Sequence, residues 1–374
     1  MSIGLEGATG GVLWRHDKRW LWIASVLSPA MPAVGATILL LGGNPLWSWF
    51  SLLYGYVALT LLDVLVGEDP FNPPAHLVEE LAEDPWYRRL LFLALPAYWL
   101  SLVLSVIAVG TLDLPMWALL GLTLGAGAMA GTALVVGHEL GHKSDPADQL
   151  AAKLACALSG YAHFCIEHNR GHHVQVATPE DPASARYGES LYAFALRELP
   201  GAFRRGWSLE AARLARKGLP FWHWRNDLLQ GYALHLAVVV AATAAFGWGM
   251  LVFFLVHDVF AWLQLTMANY VEHYGLLRQK RADGRYEPCE PRHSWNTNHI
   301  VSNLVLFHLQ RHSDHHANPL RPYQALRNFE DLPRLPSGYP GSFLLASIPP
   351  LWFRVMNPKA LAWAGGDVTR LNRG

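Results

Sequence analysis

The stretch Pro115-MWALLGLTLGAGAMAGTALVVG-His138-Glu-Leu-Gly-His142-Lys143 decides the fold. No charged side chain interrupts it between Pro115 and Gly137. A bilayer is crossed by about 20 mostly apolar residues in a helix. The far end of this span carries His138 and His142, four residues apart and therefore on one helix face. A membrane helix thus delivers two imidazoles to one membrane surface. Gly121, Gly125, Gly127 and Gly131 allow close helix approach or leave a cavity.

The spread of Lys and Arg extends this reading to the whole chain. None occurs between Arg19 and Arg88, between Arg89 and Lys143, or between Arg225 and Arg278. Each gap is long enough for two spans and a short turn. The expected fold is all-α and integral to a membrane, with six spans at about 20–42, 46–66, 90–110, 115–137, 227–246 and 249–272. Basic residues favour the cytoplasmic side, which places both termini, the 143–226 loop and the 274–374 tail there. Residues 1–18 show no cleavable signal pattern. Residues 75–89 read as a short amphipathic surface helix. The apolar segment 150–166 is too short for a span and reads as a re-entrant or surface helix. No internal repeat divides the chain, and 1–374 is expected to form a single membrane-embedded domain.

Composition agrees. The 374 residues are 52% hydrophobic and only 16% charged, against about 25% charged in ordinary soluble domains. Net charge is zero, which removes the bulk electrostatic case for nucleic acid. Cys156, Cys165 and Cys289 form no CxxC pair and no iron–sulfur pattern. Electrons, if needed, come from another protein.

Nine of the eighteen histidines fall in four places. His138 and His142 end the fourth span. His168 and His172 repeat the i, i+4 spacing, as do His312 and His316. His173 and His315 each adjoin such a pair, turned about 100° from it, and so face a second ion. His273 ends the sixth span. All nine come to one depth on one side of the membrane. His16, His76, His223, His235 and His257 read as ordinary surface or core residues. His163, His293, His299 and His308 lie near the clusters and are candidates to orient ligating imidazoles.

His138-Glu139-Leu-Gly-His142 also fits the H-E-x-x-H zinc-protease pattern, with Glu139 as base. Such a site needs three protein ligands and a water, and would leave six clustered histidines idle. Nine imidazoles instead suit two ions, four on one and five on the other. Imidazole serves iron, copper and zinc alike; iron is favoured because it can activate oxygen beside an apolar cavity. Glu139, Glu167, Glu272 and Asp314 adjoin these histidines and are candidates to support them.

HELGHK (138–143), EHNRGHH (167–173), NYVEHYGLLRQK (269–280) and LQRHSDHHA (309–317) together resemble the histidine boxes of the integral-membrane alkane 1-monooxygenases. The run from His293 to His308, LLDVLVGED (61–69) and WAGGD (363–367) are similar too. The first two boxes belong broadly to membrane desaturases and hydroxylases; NYVEHYG is more specific. The resemblance implies a di-iron enzyme of the bacterial inner membrane. It would insert one oxygen atom of O2 into the terminal C–H bond of medium-to-long n-alkanes. It implies electrons from NAD(P)H through rubredoxin reductase and rubredoxin. Some relatives carry a fused rubredoxin; this sequence ends at Gly374 without one. A membrane acyl desaturase or hydroxylase is the alternative within the same superfamily. Arg204, Arg205, Arg278, Lys280 and Arg281 are candidates to meet an acidic electron carrier. Terminal selectivity demands a narrow apolar tunnel, and Tyr54, Gly55 and Tyr56 on the second span are candidates to set its length.

Overall fold

The computed structural model describes residues 16–374. The expectation about a signal pattern, and the side chain of His16, lie outside what is described. Among the described residues there is no β-strand, only three isolated bridges. Six helices of the described residues are long and apolar enough to cross a membrane, and the protein is an integral membrane protein. They are α1 (Lys18–Leu40), α2 (Pro45–Val66), α3 (Pro85–Thr111), α4 (Met116–Gly141), α7 (Asp227–Phe246) and α8 (Gly249–His273). Between α4 and α7 come α5 (Pro146–Ala157) and α6 (Leu191–Arg216). The tail adds α9 (His312–Ala317), α10 (Tyr339–Ala346) and α11 (Pro349–Trp363). The outer faces of α2, α7 and α8 leave Leu61, Leu65, Leu236, Val240, Val252 and Leu255 exposed, the pattern of a lipid-facing wall.

Helix starts follow local chemistry. Asp84 caps the Trp86 N–H and Pro85 occupies the first turn of α3, where a missing N–H costs nothing. That stop divides the expected 75–89 helix: Val78–Glu83 ends, and α3 begins. Asn226 likewise caps the Leu228 and Leu229 N–H groups at the start of α7. The 150–166 segment is not one helix. α5 buries Ala151, Ala152 and Ala155 among the core residues that include Val136 and Leu140 of α4, and a second helical segment begins at Phe164.

α4 is the core of the bundle and lies deepest of the six spans. Its glycines serve mainly close packing. A Cβ on Gly127 would sit 2.5 Å from the His257 carbonyl oxygen, and one on Gly131 2.6 Å from that of Ala261. α4 and α8 therefore meet backbone to backbone, which aligns the ends that carry His138, His142 and His273.

The tail returns to this end through long-range hydrogen bonds. Asp63 of α2 accepts from the Ser302 N–H at 2.9 Å. The buried Arg311 guanidinium donates to the carbonyls of Asp69, Phe71 and Leu326. Asn296 accepts from the Ser313 N–H, and the Ser313 hydroxyl donates to the Ser294 carbonyl. These contacts fix α9 beneath the spans.

Candidate metal centre

The nine cluster histidines come from four pieces of backbone. α4 supplies His138 and His142, α8 ends on His273, and α9 carries His312, His315 and His316. The remaining three lie on 164–175, whose middle, His168–His172, winds as a π-helix. A π turn closes i to i+5, so His168 shares its face with His173 rather than with His172. The two Nε2 atoms of His168 and His173 lie 3.0 Å apart.

The nine imidazoles fall into two groups, each with its ring nitrogens within 4.8 Å of one another. His138, His142, His168, His173 and His315 form one; His172, His273, His312 and His316 form the other. The i, i+4 pairs at 138/142 and 312/316 stay together, as the spacing implies. The pair at 168/172 does not: the wider turn sends His172 to the other group. His315 parts from its neighbour His316 as expected.

The donor chemistry fits metal ions. His315 Nε2 lies 2.9 Å from that of His138 and 3.0 Å from that of His173, which also faces His168. An imidazole nitrogen offers one proton or one lone pair, so hydrogen bonds cannot satisfy this chain. Two nitrogens at right angles around an ion about 2.1 Å away would be about 3.0 Å apart. Nε2 of His142, His172 and His273 is buried with no partner among the described residues. Burial pushes His168, His312, His315 and His316 well below the ordinary imidazole range, and His142 to about 4. They are therefore neutral, the form that binds metal. The two groups can hold metal ions.

The supporting carboxylates are only partly those the sequence suggests. Glu272 lies 3.2 Å from His312 Nε2 and accepts from the Tyr339 hydroxyl at 2.6 Å. Glu167 acts at a distance, through Arg205, which also holds Asp181. Asp314 fixes Asn318, Arg321 and the Arg327 N–H. Glu139 accepts from the Tyr323 N–H and pairs with Lys143, and makes no hydrogen bond or ion pair with a histidine among the described residues.

Asp181 was not foreseen. It takes the His172 Nδ1–H at 2.9 Å, with both side chains fully buried. Burial opposes charge on each, but their contact prevails: Asp181 stays below the usual carboxyl range and His172 is raised. In sequence it is one acid in a polar, proline-flanked loop, with no periodicity to single it out. Of the four intermediate histidines, His293 alone reaches the clusters, by its carbonyl, 3.4 Å from His273 Nδ1. His163, His299 and His308 bond to Tyr232, Thr297 and the Tyr323 carbonyl.

A narrow apolar cavity lies between α4 and α8. Leu134, Val135, Phe164, Leu265, Leu306 and Leu309 line it, and His138, His168, His312 and Glu272 close one end. Gln264 lines it too and accepts from the Tyr56 hydroxyl at 2.5 Å. Tyr54 packs against both large core clusters. A Cβ on Gly55 would meet nothing within 4 Å among the described residues. Of the five cations proposed for a carrier, Arg204, Lys280 and Arg281 are exposed. Arg205 is instead locked to Glu167, Gln175 and Asp181, and Arg278 to the carbonyls of Val174 and Glu287.

A membrane bundle closing on two histidine groups defines a class of membrane oxidoreductases, and residues 113–341 match the fatty acid desaturase family model. The chain is 51% identical over 355 residues to the alkane 1-monooxygenase of Ectopseudomonas oleovorans, covering 95% of this chain and 88% of that protein. It is 50% identical to that of Pseudomonas putida, with the same coverage. It is 28% identical to the xylene/toluene monooxygenase hydroxylase component of Pseudomonas putida, over 90% of this chain and 88% of that protein. The chain belongs to the alkane 1-monooxygenase family.

Proposed function

We propose that the protein is a di-iron alkane 1-monooxygenase that converts medium-to-long n-alkanes to 1-alkanols. The observation that carries this is the apolar cavity that ends on both histidine groups. Two irons, when bound, supply the reductive activation of O2. The nine histidines would hold them, in sets of five and four; Asp181 orients His172 through Nδ1, whereas Glu272 stands at His312 Nε2, the nitrogen that also faces His316. An alkane has no polar handle, so the walls of α4 and α8 must orient it by shape, presenting the terminal methyl to the histidine end. The same walls exclude water. Gln264, tied to Tyr56, stands on the cavity wall.

The whole chain acts as one catalytic domain in the bacterial inner membrane, with both termini and the histidine groups on the cytoplasmic side. Electrons reach it from NAD(P)H through rubredoxin reductase and rubredoxin. An acidic carrier would meet Arg204, Lys280 and Arg281. A zinc protease is disfavoured because Glu139 is engaged by Tyr323 and Lys143, where a general base would face the metal.

The test is metal analysis with product analysis. Iron near two per chain is expected, with octane converted to 1-octanol when NAD(P)H, reductase and rubredoxin are supplied. Zinc near one per chain with peptide cleavage, or an alkene from an acyl substrate without alcohol, would overturn the reading.

A further inference from the structure

Cys156 lies in the last turn of α5 and Cys165 in the first turn of the segment 164–175. The turn between them, with Gly160 at φ +61°, brings the sulfurs to 3.7 Å. Both sulfurs sit in the groove of α4. A Cβ on Gly137 would lie 3.1 Å from Cys156 Sγ, and one on Gly141 2.8 Å from Cys165 Sγ. These glycines immediately precede His138 and His142. The Cys165 thiol also donates to the Gly137 carbonyl at 3.4 Å. His168 follows three residues later. The thiol pair therefore touches the backbone that presents three of the five histidines in one group.

The pair is reachable. Both cysteines line a cleft with Lys143, Lys153, Asn169 and Arg170, and Arg170 is exposed. Cys165 is half-buried and Cys156 buried. A disulfide needs sulfurs about 2.05 Å apart, so closure asks for about 1.7 Å of approach. Disulfides in reducing compartments are typically transient and redox-sensing.

We propose that Cys156 and Cys165 form a reversible oxidation site, closed by hydrogen peroxide to a disulfide that governs the five-histidine group. The Cys165 thiolate attacks one peroxide oxygen; the S–O bond forms, the O–O bond breaks and hydroxide leaves. The Cys156 sulfur, having lost its proton, attacks the Cys165 sulfur; the S–S bond forms, the S–O bond breaks and a second hydroxide leaves. With the two thiol protons the products are two waters. Peroxide is reduced and two thiols are oxidised. The bridge draws 164–175 along α4 and shifts His168 against His138 and His142. Formation of the bond is independent of the metal reading; its effect on turnover rests on it.

The experiment uses the full-length, metal-loaded protein in lipid nanodiscs, exposed to hydrogen peroxide, alkylated and digested with trypsin. Residues 154–170 carry both sulfurs in one tryptic peptide. That peptide is expected to be lighter by two hydrogens and to resist alkylation, while Cys289 reacts. Alkane hydroxylation should fall about tenfold, the scale for disturbed support of a metal-bound imidazole, with metal becoming accessible to a chelator. A thiol reductant should reverse all three changes. Cys165→Ser, and independently Cys156→Ala, should keep basal turnover and resist peroxide. Two alkylated thiols in peroxide-inactivated protein would overturn the proposal. So would equal peroxide sensitivity in both variants, or a bridge that alters neither turnover nor metal accessibility.

Discussion

Asp181→Asn isolates the support of a single imidazole. The carboxylate works from both oxygens. Oδ2 faces His172 Nδ1 at 2.9 Å and the Ser184 hydroxyl at 2.6 Å; Oδ1 takes Arg205 Nη2 at 2.7 Å and the Ala183 N–H at 3.2 Å. An amide has one acceptor oxygen, so whichever way it turns, its NH2 faces donors. Arg205 holds the oxygen more strongly as a full charge, which leaves His172 without its acceptor. A hydrogen bond to a charged group contributes about 1.5–3 kcal/mol, and about 1.4 kcal/mol is tenfold in affinity. Iron binding at the four-histidine group should weaken about 10–100-fold, with the five-histidine group little changed. Titration against a competing chelator, read as two binding steps, measures this. The sign with pH is also fixed. Asp181 is depressed by its partners, so its contribution is complete above the unfolded carboxyl value and is lost as pH falls through the folded one. Melting temperatures of the metal-free variant and parent should therefore differ at neutral pH and converge only in strong acid. An affinity within twofold of the parent, or weakening confined to the five-histidine group, would refute the reasoning.

Glu198, on α6, accepts from Thr266 and Asn269, and burial raises it from 4.5 to about 7. The folded state thus holds a proton the unfolded chain has released, and stability falls as pH rises from about 4.5 through about 7; Glu198→Gln should flatten a melting-temperature profile over that window. Gly127→Val forces a side chain against the His257 carbonyl 2.5 Å from the Cβ position; it should cost about 1–3 kcal/mol, read as a lower melting temperature in detergent. At Gly55 a Cβ meets nothing within 4 Å among the described residues, so Gly55→Ala should leave the melting temperature unchanged, while Gly55→Trp should shift product profiles toward shorter alkanes if residue 55 bounds the tunnel. An unchanged profile would remove Gly55 from the tunnel wall.

The six spans were legible because a span is a one-dimensional property: charge gaps and apolar length suffice. The fourth expected span stops at Gly137, yet α4 runs on to Gly141, since polarity marks the membrane edge and not the helix end. Spacing brought the nine histidines together in prospect, but could not assign His172, because counting assumes an α turn where the chain adopts a wider one. Asp181 and Arg205 were beyond reach for another reason. Their roles exist only across contacts between separate loops and helices, and nothing in the local pattern of either records the other.

The wide turn at His168–His172 has a consequence for how the two groups relate. With one loop of peptide feeding both, the distance between them is held by covalent geometry rather than by whatever binds in between. His168 and His172 ring centres stay 5.3 Å apart, and neither can retreat without dragging the other. The two halves of the centre are thus a gauge block, cut to length by the backbone. A chain that trimmed one residue from this loop would keep every histidine and still lose the measure.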